Sequence, residues 1–455
     1  MSLLSVKLAA ARAAGAVSRR AGRGGTSLPG KLLLRLEPGA VGSLAARLSN
    51  GSAVISATNG KTTTAAMVAS ILERGGHTLV HNRAGANMAG GIAGTLLEAA
   101  GPRATLRGDT GLFEIDEFWL DRLVPQIRPR ALLLANLFRD QLDRYGELDT
   151  IADRWAAVVA TGDAQTLVLN ADDPLVADLG RDRDGVVYFG VEDPSVALEG
   201  MAHAADSKHC RRCGAPYTYD FVFLGHLGHY HCDACGATRP APSVAAERVV
   251  LDGLRGARVT LRLPSTTVEV ALPLPGLYNV YNALAAAALS TALGASPDEI
   301  VAGLEATAAA FGRAETVSLG GRDLLLLLVK NPAGANEVLR TLALEDGEHD
   351  VLAVLNDHVA DGRDVSWVWD ADFELLAGRL ARVVCSGTRA AELALRFKYA
   401  GVPEERLVVE PSLPAALDRA VAGGSGRLVA IPTYTAMLAL RQELVARGAA
   451  RGSFG

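Results

Sequence analysis

Short apolar, β-branched runs alternate with segments of helical period along most of this chain. The run Val54-Ile55-Ser56-Ala57 passes into the turn Thr58-Asn59-Gly60, then Lys61 and Thr62, and residues 63–73 space their apolar side chains as a helix does. That order predicts a strand, a tight turn and a helix. A short strand follows at 78–81, then an Asn- and Gly-rich loop at 82–88 suited to ligand contact, then a Gly/Ala-rich helix. Residues 111–117 read as a buried strand ending in Glu114, Asp116 and Glu117, ahead of a helix at 119–124. Strands at 130–136 and 166–169 each run into a polar loop, the second being Asn170-Ala171-Asp172-Asp173-Pro174. Strands that alternate with helices predict an α/β fold with a doubly wound, mostly parallel sheet whose loops open on one edge.

Farther on, residues 249–272 hold alternating apolar runs suited to strands, and 281–293 is an Ala-rich helix. A second, Rossmann-like α/β unit is expected beyond it, with strands at 323–329, 351–355, 382–385, 406–409 and 427–431. Between these stretches the texture changes. Cys210-Arg211-Arg212-Cys213-Gly214 and Cys232-Asp233-Ala234-Cys235-Gly236 bracket a segment whose aromatics Tyr217, Tyr219, Phe221 and Phe223 alternate as in a strand. The expected division is a basic N-terminal segment (1–45), a nucleotide-binding domain (46–313) carrying an insert (203–240), and a C-terminal α/β domain (314–455).

Composition narrows the class. With 455 residues, 49% apolar and 21% charged, the chain suits two or three domains with large cores. A net charge of −5 gives no general attraction to nucleic acid. The longest all-aliphatic run, 324–329, is far too short to span a bilayer, so no transmembrane helix is expected. Before Glu37 the chain carries Lys7, Arg12, Arg19, Arg20, Arg23, Lys31 and Arg35 and no acid, with helical apolar spacing over 3–17. Such a helix could touch anionic lipid; lying on the protein's own surface is the plainer reading. Charges interrupt the only candidate core of a secretory signal.

Chemistry follows from three groups of residues. Backbone N–H groups of the Thr58–Gly60 turn and the next helix's N-terminus would face a polyphosphate, with Lys61 as a point charge and the Thr62 hydroxyl on Mg²⁺. The general pattern wants a glycine where this chain has Ile55. Carboxylates at a neighbouring strand end supply the oxygens Mg²⁺ needs; Glu114 is the first acid after the apolar run, and surface solvation explains Asp116 or Glu117 equally well. Five cysteines, four of them in two Cys-x-x-Cys pairs, argue for a reducing compartment and a metal. Cys210, Cys213, Cys232 and Cys235 predict a closed, structural Zn²⁺ shell, with His226, His229 and His231 packed or solvated nearby. Cys385 reads as a buried thiol.

Four ordered motifs resemble the central domain of the Mur ligases: Ala57 to Thr63, Asp140-Gln141-Leu142-Asp143-Arg144-Tyr145-Gly146, Asn170 to Asp173, and Gly276-Leu277-Tyr278-Asn279-Val280-Tyr281-Asn282. Phe311-Gly312-Arg313-Ala314-Glu315 resembles that domain's closing motif. The resemblance implies an enzyme that activates a carboxylate as an acyl phosphate with ATP and lets an amine attack it. It implies that Thr58, Asn59, Gly60, Lys61, Thr62 and Thr63 hold the ATP phosphates, that Thr62 and Glu114 hold Mg²⁺, and that Asn170, Asp172 and Asn282 lie near the nucleoside. Departures indicate the branch. Gln141 and Tyr278 replace histidines of the amino-acid-adding ligases, and no lysine lies between Lys61 and Lys208 to be carbamylated.

The runs Lys330-Asn331-Pro332-Ala333-Gly334 and Asp361-Gly362-Arg363-Asp364-Val365-Ser366-Trp367 are similar to those of the lipid II-amidating branch. This implies a heterodimer with a GatD-like class I glutaminase, whose Cys-His pair is completed by an Asp of this chain. Asp364 is the first choice, with Asp361 and Asp357 behind it. The expected reaction is ATP-dependent amidation of the α-carboxylate of D-isoglutamate in the lipid II stem peptide, during peptidoglycan synthesis at the inner face of the cytoplasmic membrane. The alternatives are an amino-acid-adding ligase of muropeptide or folylpolyglutamate type, and a non-catalytic ATP-binding zinc-ribbon module.

Overall fold

The computed structural model describes residues 3–20, 27–82, 86–139, 148–200, 206–307, 313–424 and 427–450. The motif from Asp140 to Gly146, with Gln141, lies outside them, as do Phe311 and Gly312.

A nine-stranded sheet is built from β1 (Ser52–Ser56), β2 (Leu79–His81), β3 (Thr110–Glu114), β4 (Ala131–Leu134), β5 (Thr166–Asn170) and β6 (Val187–Val191). A hairpin, β7 (Thr218–Leu224) with β8 (Leu227–His231), is a separate two-stranded sheet. Three more strands, β9 (Val244–Leu251), β10 (Ala257–Leu263) and β11 (Thr266–Leu272), complete the nine in the order β11-β10-β9-β6-β5-β4-β1-β3-β2. The strands from β9 to β2 in that order pair in parallel, whereas β9, β10 and β11 form an antiparallel meander at one edge. Connections of only a few residues leave no room for a crossover helix there, so antiparallel pairing is the one available.

The central strands bury both faces, as a parallel sheet sandwiched by helices must. In β1, Ala53 and Ile55 join the core beneath the helices Lys61–Arg74 and Leu277–Leu293, while Val54 faces the opposite core. That second core packs Ile92, Leu96, Leu123 and Trp155 from the helices Ala89–Ala99, Leu120–Ile127 and Leu148–Ala160. The basic helix Leu3–Arg20 lies on this face with Leu8 buried, Lys7 paired to Glu37 at 2.8 Å and the Arg12 guanidinium donating to the Leu97 carbonyl at 2.8 Å.

The second sheet has six strands: β12 (Arg313–Leu319), β13 (Arg322–Leu327), β14 (His349–Val354), β15 (Leu380–Ser386), β16 (Leu407–Val409) and β17 (Arg427–Pro432). Their order is β12-β13-β17-β14-β15-β16, with only β12 antiparallel to its neighbour. Cys385 is buried in β15, and burial pushes its thiol up to about 12.

Candidate active site at the phosphate loop

The carboxyl ends of β4, β1 and β3 lie side by side, the usual position of a ligand on an open α/β sheet. After β1 the chain turns through Gly60, whose φ of +84° opens the Lys61–Arg74 helix. A Cβ there would stand 2.0 Å from Asn282 Oδ1, so a side chain at this position would be strained and would have to displace Asn282. The turn is shaped from β4's tail by Asn136: its carbonyl accepts Thr58 N–H at 3.0 Å, its Oδ1 accepts Asn59 N–H at 2.9 Å, and its amide donates to Asn59 O at 3.0 Å. Phe138 N–H donates to Thr58 Oγ1 at 3.1 Å. Thr62 is partly exposed on the helix's first turn, and Thr63 and Thr64 are buried behind it.

Lys61 Nζ donates to Glu117 Oε2 at 2.9 Å and to the carbonyl of Ala57. Burial works against its charge, but Glu117, with Glu114 and Asp116, holds the ammonium above its ordinary value. Glu114 is buried at the end of β3, where the Asn82 side chain grips its backbone, accepting its N–H at 2.9 Å and donating to its carbonyl at 2.8 Å. Asp116 Oδ1 accepts Phe118 N–H at 3.1 Å. The acid that touches Lys61 is thus Glu117, which sequence reasoning set behind Glu114.

Asn282 reaches the loop, accepting from Thr64 Oγ1 at 3.3 Å and donating to Asn279 Oδ1 at 3.0 Å. Asn170 and Asp172 do not line the cleft. Asn170 Oδ1 accepts Asp172 N–H at 3.0 Å. The fully buried Asp172 carboxylate accepts from Arg239 Nε at 2.6 Å, Tyr281 OH at 2.7 Å and Val191 N–H at 2.8 Å. Burial opposes the Arg239 charge, yet Asp172 and Glu192 hold it above its usual range. These two residues stand beneath the floor of the site, joined to it through Tyr281.

The cleft itself, about 110 Å³ and partly open to solvent, lies between the two sheets. Gly60, Phe138, Tyr281 and Asn282 line one side, Leu224 and Leu227 of the hairpin a second, and Lys330, Gly334 and Glu337 a third. Lys330 Nζ donates to Thr58 O at 3.0 Å, and Asn331 exchanges amide hydrogen bonds with Asn59 at 3.1 and 3.4 Å. Burial raises the Glu337 carboxyl although Arg340 pairs with it at 2.8 Å.

At the hairpin's far end the four cysteine Sγ atoms lie within 4.8 Å of one another, with Cys210 to Cys235 at 3.6 Å and Cys213 to Cys232 at 3.5 Å. A tetrahedron with arms of about 2.3 Å has edges of about 3.8 Å, so this donor set fits a closed thiolate shell. The three histidines stand apart. His226, fully buried at the hairpin turn, lies against the Phe138 ring at 4.8 Å and Asp173 at 3.5 Å, His229 bonds Val191 O, and His231 sits between Asp220 and Asp233.

The three aspartates after β14 differ. Asp357 is paired with Arg389 at 2.8 Å, and the buried Asp361 accepts Thr435 N–H at 2.7 Å. Asp364 is exposed, and Ser366, through its hydroxyl and through its N–H at 2.8 Å, holds the Asp364 carboxyl below the ordinary range.

A phosphate loop on a doubly wound sheet, facing a cleft closed by a second α/β unit, defines the Mur ligase class. Residues 55–230 match the family described as Mur ligase middle domain, and 328–437 match the one described as MurT ligase C-terminal. Among solved structures, a pseudomurein peptide ligase type C from Methanothermus fervidus superposes with a TM-score of 0.66 at 23% identity, covering 88% of this chain and 79% of that one. MurF from Acinetobacter baumannii gives 0.65 at 20%, covering 92% and 80%. At these identities the likeness is one of fold. The chain belongs to the MurT family: it is 33% identical over 435 residues to the lipid II isoglutaminyl synthase (glutamine-hydrolyzing) subunit MurT of Staphylococcus aureus strain N315, covering 95% of this chain and 96% of the relative. The Streptococcus pneumoniae R6 protein of the same name is 33% identical over 442 residues, 97% and 96% of the two chains.

Proposed function

We propose that this chain is the synthetase subunit of a glutamine-hydrolysing lipid II isoglutaminyl synthase, an ATP-dependent amide ligase of peptidoglycan synthesis. The single observation that carries this is likeness to MurT subunits over nearly the full length of both chains.

In this reading the ATP phosphates lie along the N–H groups of residues 58–63 and on Lys61. Mg²⁺, held by Thr62 and Glu114, would neutralise phosphate charge, with Asp116 and Glu117 as the neighbouring acids. An oxygen of the D-isoglutamate α-carboxylate attacks the γ-phosphorus, the bond to ADP breaks, and an acyl phosphate forms. Ammonia then attacks the acyl carbon, phosphate leaves with that oxygen, and the nitrogen loses a proton, giving D-isoglutamine. Asn282 packs over Gly60 and keeps the loop in shape, while Asn170 and Asp172 support the nucleoside side through Tyr281.

Ammonia comes from a GatD-like class I glutaminase, and Asp364 orients and charge-stabilises that partner's histidine. Its exposure supports this, because Asp357 and Asp361 are already engaged. Cys210, Cys213, Cys232 and Cys235 hold the zinc of a ribbon, the insert assigned to 203–240. The division into 1–45, 46–313 and 314–455 is part of this reading; that β11 of the first sheet ends at Leu272 and β12 of the second starts at Arg313 supports the later boundary. Among the described residues no helix is long and apolar enough to cross a membrane, and work at the cytoplasmic membrane's inner face follows from where the substrate resides.

The test is mass spectrometry of lipid II incubated with this chain, ATP and Mg²⁺. Replacement of a carboxyl OH by NH₂ is expected with ammonium chloride alone, and with glutamine only when the glutaminase is added. An unchanged lipid II mass with ammonium would send the assignment back to amino-acid addition.

A further inference from the structure

Two of the chain's six lysines converge on one carbonyl of the phosphate loop. Thr58 O accepts from Lys61 Nζ at 3.5 Å and from Lys330 Nζ at 3.0 Å. Lys61 belongs to the first unit, and Lys330 follows β13 of the second. Elsewhere the protein holds backbone carbonyls with arginine: Arg12 on Leu97 O, Arg379 on Ala343 O, Arg396 on Val368 O, Arg406 on Leu380 O. A guanidinium does that well, since its planar fork is pre-organised, whereas a compact ammonium on a flexible stem is a mobile point charge suited to phosphate. Lysine at 330 is therefore out of keeping with a purely structural tie.

The backbone around it points the same way. Lys330 stands just before the N-cap of the helix Pro332–Ala343, whose first turn is capped by Asn331 Oδ1 accepting Gly334 N–H at 2.9 Å. Ala333 and Gly334 line the cleft opposite Gly60, so the positive end of this twelve-residue helix faces the phosphate loop across the cleft. The amide pair between Asn331 and Asn59 fixes that approach.

We propose that Lys330 is a second phosphate-binding cation, carried by the C-terminal unit across the cleft onto the terminal phosphates of ATP. The proposal rests on the reading of residues 58–63 as a phosphate loop. Nucleotide phosphate replaces the Thr58 carbonyl as the partner of the Lys330 ammonium, so ATP itself ties the two units together. A nucleotide with one phosphate does not reach it.

Titration calorimetry of the full chain with Mg²⁺ and ATP, ADP or AMP tests this. Lys330→Met keeps the aliphatic stem and removes the charge; ATP binding is expected to weaken about ten- to a hundredfold, the scale of one lost charge-assisted hydrogen bond, with AMP unchanged. Lys330→Gln retains a donor for Thr58 O. A structural tie would survive in it and ATP binding would stay normal, whereas the phosphate role would still be lost. Equal weakening of ATP and AMP, or full ATP affinity in either variant, overturns the proposal. Lys61→Ala separates the two levels: if it too binds ATP normally, the phosphate-loop reading has failed, and not only the role of Lys330.

Discussion

Asp172 decides between two roles for the Asn170 to Asp173 loop. A nucleoside ligand would be reachable from the cleft, but the Asp172 carboxylate is fully buried and accepts from Arg239, Tyr281 and the Val191 N–H. Asp172→Asn keeps the shape and one acceptor but removes the charge facing Arg239, which is only 9% exposed. Breaking one side of a buried ion pair costs about 3–5 kcal/mol, mainly because the surviving charge is stranded. Glu192 also pairs with Arg239, at 2.8 Å, and is itself about a third exposed, so the loss belongs at the low end, about 3 kcal/mol.

For a unit of this size each kcal/mol moves the melting temperature by about 2–4 °C, so the first unfolding transition should fall by about 6–12 °C. Differential scanning calorimetry reads it directly, and two transitions are the form to fit, because two separate sheets do not license a single two-state value. ATP affinity should change little at temperatures well below that transition. A variant melting within about 1 °C of wild type while binding ATP tenfold more weakly would falsify the buried-network account in favour of a direct contact with the nucleoside.

Other expectations follow from the same geometry. Lys61→Ala should reduce ATP turnover by about 10²-fold or more with either nitrogen source, measured as phosphate release; near-normal turnover would remove the loop from the mechanism. Asp364→Asn should lower glutamine-driven amidation by about 10²-fold or more while ammonium-driven amidation stays within about twofold, and a parallel fall in both would move Asp364 into the ligase site. Because Ser366 lowers the Asp364 carboxyl, its charge persists to more acidic pH than that of a free aspartate, so an acid limb of the glutamine-driven rate close to neutrality comes from another group. Cys213→Ser should take bound zinc, measured by atomic absorption, well below one equivalent; a full equivalent would show that the four thiolates are not the site.

What was legible in the sequence is what depends on neighbours in the chain. The strand, turn and helix from Ser52 to Arg74 follow from local apolar spacing and one glycine, and the two Cys-x-x-Cys pairs announce their own geometry. The antiparallel edge at β9 to β11 escaped, because alternating apolar runs look alike in parallel and antiparallel strands. Pairings across long separations left no local trace. Asn136 shapes a loop 77 residues before it, Arg239 meets Asp172 across 67 residues, and Lys330 reaches Thr58 across 272. Glu117 was passed over for a related reason: being first after the apolar run singles out Glu114, which is buried as Asp116 is, whereas the lysine partner is set by how the chain bends after β3.

These long-range pairings also explain why the site needs both units. The phosphate loop is held on one side by Asn136, below by Asn282, and across the cleft by Asn331 and Lys330. Three of those four are amides, which fix backbone shape without adding charge, and this leaves Lys61, Lys330 and the three carboxylates to set the electrostatics. A polyanion entering such a site meets donors already oriented, so little reorganisation is needed when charge moves during phosphoryl transfer. The two units share the loop through only a few polar bonds, which a bound nucleotide can exchange one for one. A reaction that must exclude water from an acyl phosphate and still admit ammonia is served by an interface held by a few exchangeable polar bonds.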